Sequence, residues 1–233
     1  MWSDPSPCKA NSRAPVGPFL TPANVLADND SLAMSFYDDR ARDELTSVAD
    51  YVINVLASEH PELGRPGPVC PFMPGAVQRN LVHIASSDLE DEPAITEMMD
   101  HLRGVFASAS SRSAGNNALF SAFIVLFPKL ADDTGAKVIS RVQKSLKPAF
   151  VKQGFMIGEF YPGCPATGLH NLDFRPFDAP VHSLAIRHMT VFDAPFLVGH
   201  DDLVEAYYER FGAEGRKRMD ALVQARTKAV RGS

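Results

Sequence analysis

Between residues 38 and 58 the apolar side chains of Leu45, Val48, Val52 and Leu56 return every three or four positions, the spacing that lines one face of a helix. An amphipathic helix over 38–58 is therefore expected. The same period recurs in Ile95, Met98, Met99, Leu102, Val105 and Phe106. The acidic residues of 88–92 and Pro93 mark the start of this second helix, which should run to about Ser110. A third stripe, Val138, Val142, Leu146 and Phe150, follows the potential caps Asp132 and Asp133, and Pro148 predicts a kink or an early end. Residues 201–211 and 214–229 read as two helical pieces broken at Gly212 and Gly215.

Where the helical period lapses, short apolar runs take over. Residues 119–127 are continuously apolar with Phe120, Phe123 and Phe127, the pattern of a strand buried on both faces. Residues 80–86, 155–161 and 183–191 read as further short strands. Between the last two lies an irregular loop of about twenty residues, a length more often functional than accidental inside a compact domain. The His60-Pro61 step and the prolines and glycines of 64–68 enforce a loop that delivers Val69-Cys70-Pro71-Phe72-Met73-Pro74-Gly75. This alternation predicts an α+β or α/β fold: one domain over 38–230, with a mixed sheet of four or more strands flanked by helices. Residues 1–37, rich in Pro, Ser, Asn and Asp without a sustained period, read as a flexible N-terminal arm, and 231–233 as a probable tag scar.

Composition narrows the function classes. With 45% hydrophobic and 22% charged residues among 233, the chain falls in the globular class and is long enough to enclose a cofactor. A net charge of −5 and the lack of a basic stripe argue against a nucleic-acid partner. No apolar run reaches a membrane span, and the N-terminus lacks the order of a signal peptide, so a cytoplasmic location and no membrane partner are expected. Cys8, Cys70 and Cys164 cannot all pair and read as thiols.

Candidate chemistry concentrates in 154–197 and in the 69–75 loop. Both Cys70-Pro71 and Cys164-Pro165 sit among prolines and glycines, where a following proline holds the cysteine extended and lets a thiolate project. A buried structural thiol is the alternative for each. Cys70 is a candidate iron ligand. His188 shares a strand face with Leu184 and Ile186 while Arg187 points the other way, and an imidazole among aliphatic residues suits an axial haem ligand or a core histidine bonded to a carbonyl. His170, in the long loop, is the other candidate ligand. Glu159 is either a buried carboxylate needing a partner such as Arg187 or the solvent side of an edge strand. Asp173 and Arg175 could recognise a polar substrate or haem propionates, or form loop salt bridges. Zinc spacings, covalent haem attachment, a P-loop, G-x-G-x-x-G and a G-x-S-x-G elbow are all missing from the sequence.

The Pro68-Val69-Cys70-Pro71-Phe72 segment, with Ala76 and Arg79 before a strand, resembles the N-terminal signature of the YqcI/YcgG family. The apolar strand near 120–127, the Val142-Gln143-Lys144-Ser145-Leu146 helix and the Arg187-His188 strand fall in a similar order. The chain more closely resembles an uncharacterised bacterial domain family marked by CPF, IGEFYPGCP and IRHM segments. The YqcI/YcgG resemblance implies a haem b-dependent monooxygenase that N-hydroxylates an amino-acid-like or guanidine-bearing small molecule. His188, His170 or Cys70 would then hold the iron, Arg187 would help bind the cofactor, and Glu159, Asp173 and Arg175 would position substrate. Its partners would be that substrate and an electron donor, and a homodimer is compatible with it. Two other readings stand beside it: a haem-binding sensor or carrier, and a metal-free enzyme with a Cys70 nucleophile and His170 or His188 as base. Cys70, His170 and His188 are expected to converge on one pocket.

Overall fold

A computed structural model describes residues 16–27, 32–112 and 115–231. Four strands form one sheet in the order β1-β2-β4-β3: β1 Val82–Ser86, β2 Ala122–Leu126, β3 Phe155–Phe160 and β4 Ser183–His188. β1 and β2 are parallel and joined through helix α4, Glu92–Ser111; β4 runs antiparallel to both β2 and β3. The sheet is mixed and flanked by helices, so the α+β architecture expected of the chain is the one observed.

Helix α5, Asp132–Lys152, packs with α4 on one face of the sheet. Their stripes, including Ile95, Met99, Leu102, Phe106, Ile139, Val142 and Phe150, meet Phe123, Val125, Ile157, Leu184 and Ile186. Helix α2, Asp39–Tyr51, continues through a π-helical turn, Val52–Leu56, and covers the other face with Leu45, Val48 and Val52 against Val82, Ile84, Ile124 and Leu126. Every residue of β2 is buried, which is why it reads as an unbroken apolar run rather than an alternating one. Asp38 caps α2 by accepting from the Ala41 N–H at 2.9 Å, and Asp91 caps α4 from the Ala94 N–H at 3.1 Å. Val105, placed on the apolar stripe of α4 by spacing, lies at its margin and is 40% exposed.

Of the residues expected to be a flexible arm, Leu20, Val25 and Tyr37 are buried in this core. Leu20 and Ile84 exchange backbone hydrogen bonds of 2.9 and 2.7 Å along the outer edge of β1. Short helix α1, Pro22–Leu26, then buries Val25 beside α2. The rest of the expected arm, 1–15 and 28–31, and the last two residues of the expected scar lie outside the described residues. Helix α6, Asp201–Arg231, leaves helical geometry at Gly212, where φ is +53°, but remains helical at Gly215. Among the described residues no helix is long and apolar enough to cross a membrane.

Candidate functional site

Alternation along β4 divides the candidate residues between the two faces of the sheet. Leu184, Ile186 and His188 point towards α4 and α5; Ala185 and Arg187 point towards the α2 side. His188 lies opposite Phe155 in the β3–β4 register, with ring centroids 5.1 Å apart, and Phe106 from α4 approaches at 5.3 Å. Its Nε2 is buried and has no hydrogen-bond partner among the described residues. Burial, and then the positive charge of Arg210, lower its pKa, so the ring is neutral at pH 7. His83, on the same face, meets Phe123 edge-on at 5.9 Å, and burial lowers its pKa too.

These two imidazoles make stability depend on pH. The unfolded chain binds protons to them at the ordinary 6.5, while the folded chain resists protonation. Their stabilising contribution is present above pH 6.5 and is lost as pH falls below it. Urea unfolding midpoints should therefore fall between pH 7 and pH 5, and His188→Gln should flatten that slope. An unchanged slope in the variant would contradict the assignment.

On the α2 side, Cys70 begins a turn held from several directions. Its N–H donates to the Leu56 carbonyl at 2.8 Å and its carbonyl accepts from Met73 at 3.0 Å. The Arg65 guanidinium donates to the carbonyls of Pro68 and Val69 at 2.9 and 3.1 Å. The thiol residue is half-buried. Beyond it, helix α3, Met73–Gln78, packs Gly75 so closely on Phe120 that an added Cβ would lie 2.6 Å from the ring. Phe72 sits 6.4 Å from Phe120 and 6.3 Å from Phe192. Arg79 lies over the Phe120 ring and Arg218 over Phe192, at 4.5 and 4.4 Å.

Arg187 leaves β4 on the α2 side of the sheet, the side that also carries Cys70. Two parallel contacts of 2.8 and 2.5 Å join its guanidinium to Asp193, and Nη1 also donates to the His188 carbonyl at 2.9 Å. Nε makes no hydrogen bond to a described residue. Desolvation opposes the Arg187 charge, but the Asp193 carboxylate outweighs it and raises the pKa. Asp193 is 3% exposed and also accepts from the Thr190 N–H and hydroxyl, closing a capping box at the start of the Val191–Phe196 turn. Thr-x-x-Asp before an apolar run is the sequence signal that could have identified Asp193 as the partner.

The expected convergence is therefore corrected. Cys70 and Arg187 share one side of the sheet, and His188 lies on the other. His170 is exposed; its backbone rests against Gly64, and the neighbouring Asn171 side chain donates to the Glu62 carbonyl at 2.7 Å. Glu159 faces α5, where it accepts from Ser140 Oγ at 2.5 Å, and of the two alternatives read from the sequence the pairing with Arg187 is ruled out by strand alternation. Asp173 and Arg175 are exposed and bond within their own loop, the first to Asn171 and the second to the carbonyls of Leu172 and Phe174. Neither forms an ion pair among the described residues. Cys164 is 1% exposed, and burial pushes its thiol pKa up, as for a structural cysteine. No group of three or more His, Cys, Asp or Glu side chains suited to a metal ion occurs among the described residues.

The family described as "Domain of unknown function (DUF6875)" matches residues 45–222, more than half of the chain. The chain belongs to this family. In this DUF6875 protein the matched span contains all four strands, the turn at Cys70 and the Arg187–Asp193 pair. No curated protein and no solved structure matches the chain.

Proposed function

We propose that this DUF6875 protein is a haem-dependent oxygenase acting on nitrogen of an amino-acid-like or guanidine-bearing small molecule, with Cys70 as the iron ligand. The observation that carries this reading is that Cys70, Arg187 and the Phe72, Phe120 and Phe192 rings lie on the same side of the sheet. A cysteine able to ligate iron, a cation able to pair with a propionate and aromatic rings are side chains that a haem site can use. The resemblance of the 68–72 segment to the YqcI/YcgG oxygenases supports it. When bound, haem would supply oxygen activation. The chain's own residues have separate tasks. The Arg65 contacts fix the cysteine turn, and Asp193 keeps Arg187 charged and oriented. Arg187 would hold a propionate or a substrate carboxylate. Phe72, Phe120 and Phe192 would offer apolar surface to the ligand.

Hemin titration of the purified protein, followed by its Soret absorbance, is expected to show saturable binding that Cys70→Ala abolishes and His188→Ala preserves. No Soret band, or full binding by Cys70→Ala, would overturn it. The buried, unpartnered Nε2 of His188 favours a second reading, in which that imidazole is the ligand on the opposite face. The inverse result, loss in His188→Ala and retention in Cys70→Ala, selects it.

A further inference from the structure

The rings beyond the Cys70 turn belong to a surface that is both apolar and positively charged. Phe192 is 57% exposed, and Phe196 from the same turn and Leu119, which precedes Phe120, are exposed as well. Apolar residues scattered singly on a surface need no explanation, but these are joined, since Phe72 approaches both Phe120 and Phe192. Cations border them on three sides. Arg79 lies over the Phe120 ring and Arg218 over the Phe192 ring, and Lys147 Nζ donates to the Phe196 carbonyl at 2.8 Å. Arg218 pairs with Glu214 at 2.9 Å, whereas Arg79 and Lys147 bond to backbone carbonyls and form no ion pair among the described residues. Asp193, the acidic residue of the Phe192 turn, is buried and committed to Arg187. The patch is therefore cationic, on a chain whose net charge is −5.

We infer that the surface of Leu119, Phe192 and Phe196, bordered by Arg79, Lys147 and Arg218, is the docking face for an acidic one-electron carrier protein. The inference rests on the oxygenase reading. N-hydroxylation by dioxygen breaks the O–O bond, places one oxygen atom on nitrogen and releases the other as water, which consumes two electrons and two protons from outside the substrate. A carrier of the ferredoxin class delivers those electrons one at a time. Charge selects where it lands: the net negative chain repels an acidic carrier, and this patch attracts it, which orients the encounter. Exposed phenylalanine and arginine are residue types enriched at protein interfaces, and a patch this small suits the brief contacts of electron transfer. Phe72, two residues after Cys70, belongs to the same aromatic cluster and so places the docking face beside the proposed iron ligand.

Calorimetric titration of the full-length protein at low ionic strength, without added hemin, tests the face directly. Oxidised plant-type [2Fe–2S] ferredoxin, which is acidic, is expected to bind, and basic cytochrome c is not. Salt at about 0.5 M should abolish the binding by screening. Arg79→Glu combined with Arg218→Glu should weaken ferredoxin about tenfold or more, and Phe196→Ser should weaken it while leaving the salt dependence in place. Both arginines are exposed, and unchanged circular dichroism of the double variant shows that it is folded. No ferredoxin binding, equal binding of cytochrome c, or full binding by the double variant would overturn the inference. So would a dimer of the protein that the double variant abolishes, because a second copy would then cover the patch. Hemin titration of the same samples separates this result from the oxygenase reading: a Soret band without ferredoxin binding removes the docking face alone, and ferredoxin binding without a Soret band removes the haem and keeps the face.

Discussion

Phe106→Ala is expected to lower folding stability by about 3–5 kcal/mol, the range for truncating a fully buried aromatic residue. Phe106 is wholly buried and joins three elements: its ring lies 5.1 Å from Phe123 on β2, 5.2 Å from Phe155 on β3 and 5.3 Å from His188 on β4. Two of these contacts are edge-to-face, an arrangement worth about 0.5–1.5 kcal/mol per pair beyond the area buried. Its removal leaves a cavity bordered by the His188 imidazole, whose buried Nε2 has no partner among the described residues. Water entering there could hydrogen-bond that nitrogen and offset part of the loss, which places Phe106→Ala nearer the lower end of the range. Phe106→Leu should cost less than half as much. Urea unfolding monitored by circular dichroism measures both. A cost for the alanine variant below about 1 kcal/mol would mean that the packing of α4 on the sheet is not as described.

Asp193→Ala is expected to cost about 3 kcal/mol, the lower end for breaking a buried ion pair, because the Arg187 side chain remains 33% exposed. The loss has two sources. Arg187 would keep its charge at the edge of the core with its bidentate partner removed, and the Thr190 N–H and hydroxyl would lose their acceptor. Asp193→Asn separates them: its amide oxygen can still accept from Thr190, so it should recover part of the stability. The double variant Asp193→Ala with Arg187→Met should be more stable than the sum of the single changes predicts, since removing both partners leaves no isolated charge. Strict additivity in thermal unfolding would show that the two side chains do not act as a pair.

The elements legible in the sequence are those whose burial is simple. α2, α4 and α5 each bury one stripe, and β2 buries both faces, so periodicity locates them within a few residues. α3 was hidden because Pro74 and Gly75 look like breakers. In fact Pro74 occupies the first turn, where its missing N–H costs nothing, and Gly75 is required by the approach of Phe120. Leu20 and Val25 were hidden because a segment that joins the fold through three backbone hydrogen bonds, at Gly17 and Leu20, and a few scattered buried residues has no period to detect. Gly212 and Gly215 look alike in sequence. Only the first changes the helix direction, whereas the second makes room for Tyr207 and Phe211, whose atoms would lie 3.0 and 2.9 Å from an added Cβ.

The site was less legible for a related reason. That Arg187 and His188 point in opposite directions follows from strand alternation and was readable. Which of them faces Cys70 depends on the docking of the 65–72 turn against the end of α2, through the Val69 and Cys70 N–H groups on the Ser58 and Leu56 carbonyls. Those are backbone contacts, and side-chain identity does not encode them. The pairing of Glu159 with Ser140 rather than Arg187 is the same lesson seen from β3.

The strand pairing at Leu20 has a further consequence. Residues 17–20 occupy the free margin of β1, where Gly17 also donates to the Ser86 carbonyl at 2.9 Å. At the opposite margin, the Gln143 side chain donates to the Ile157 carbonyl at 3.0 Å, and Tyr161 bridges to Asp178. Both rims of the sheet thus carry guards against strand addition, the route by which exposed edges recruit other chains into aggregates.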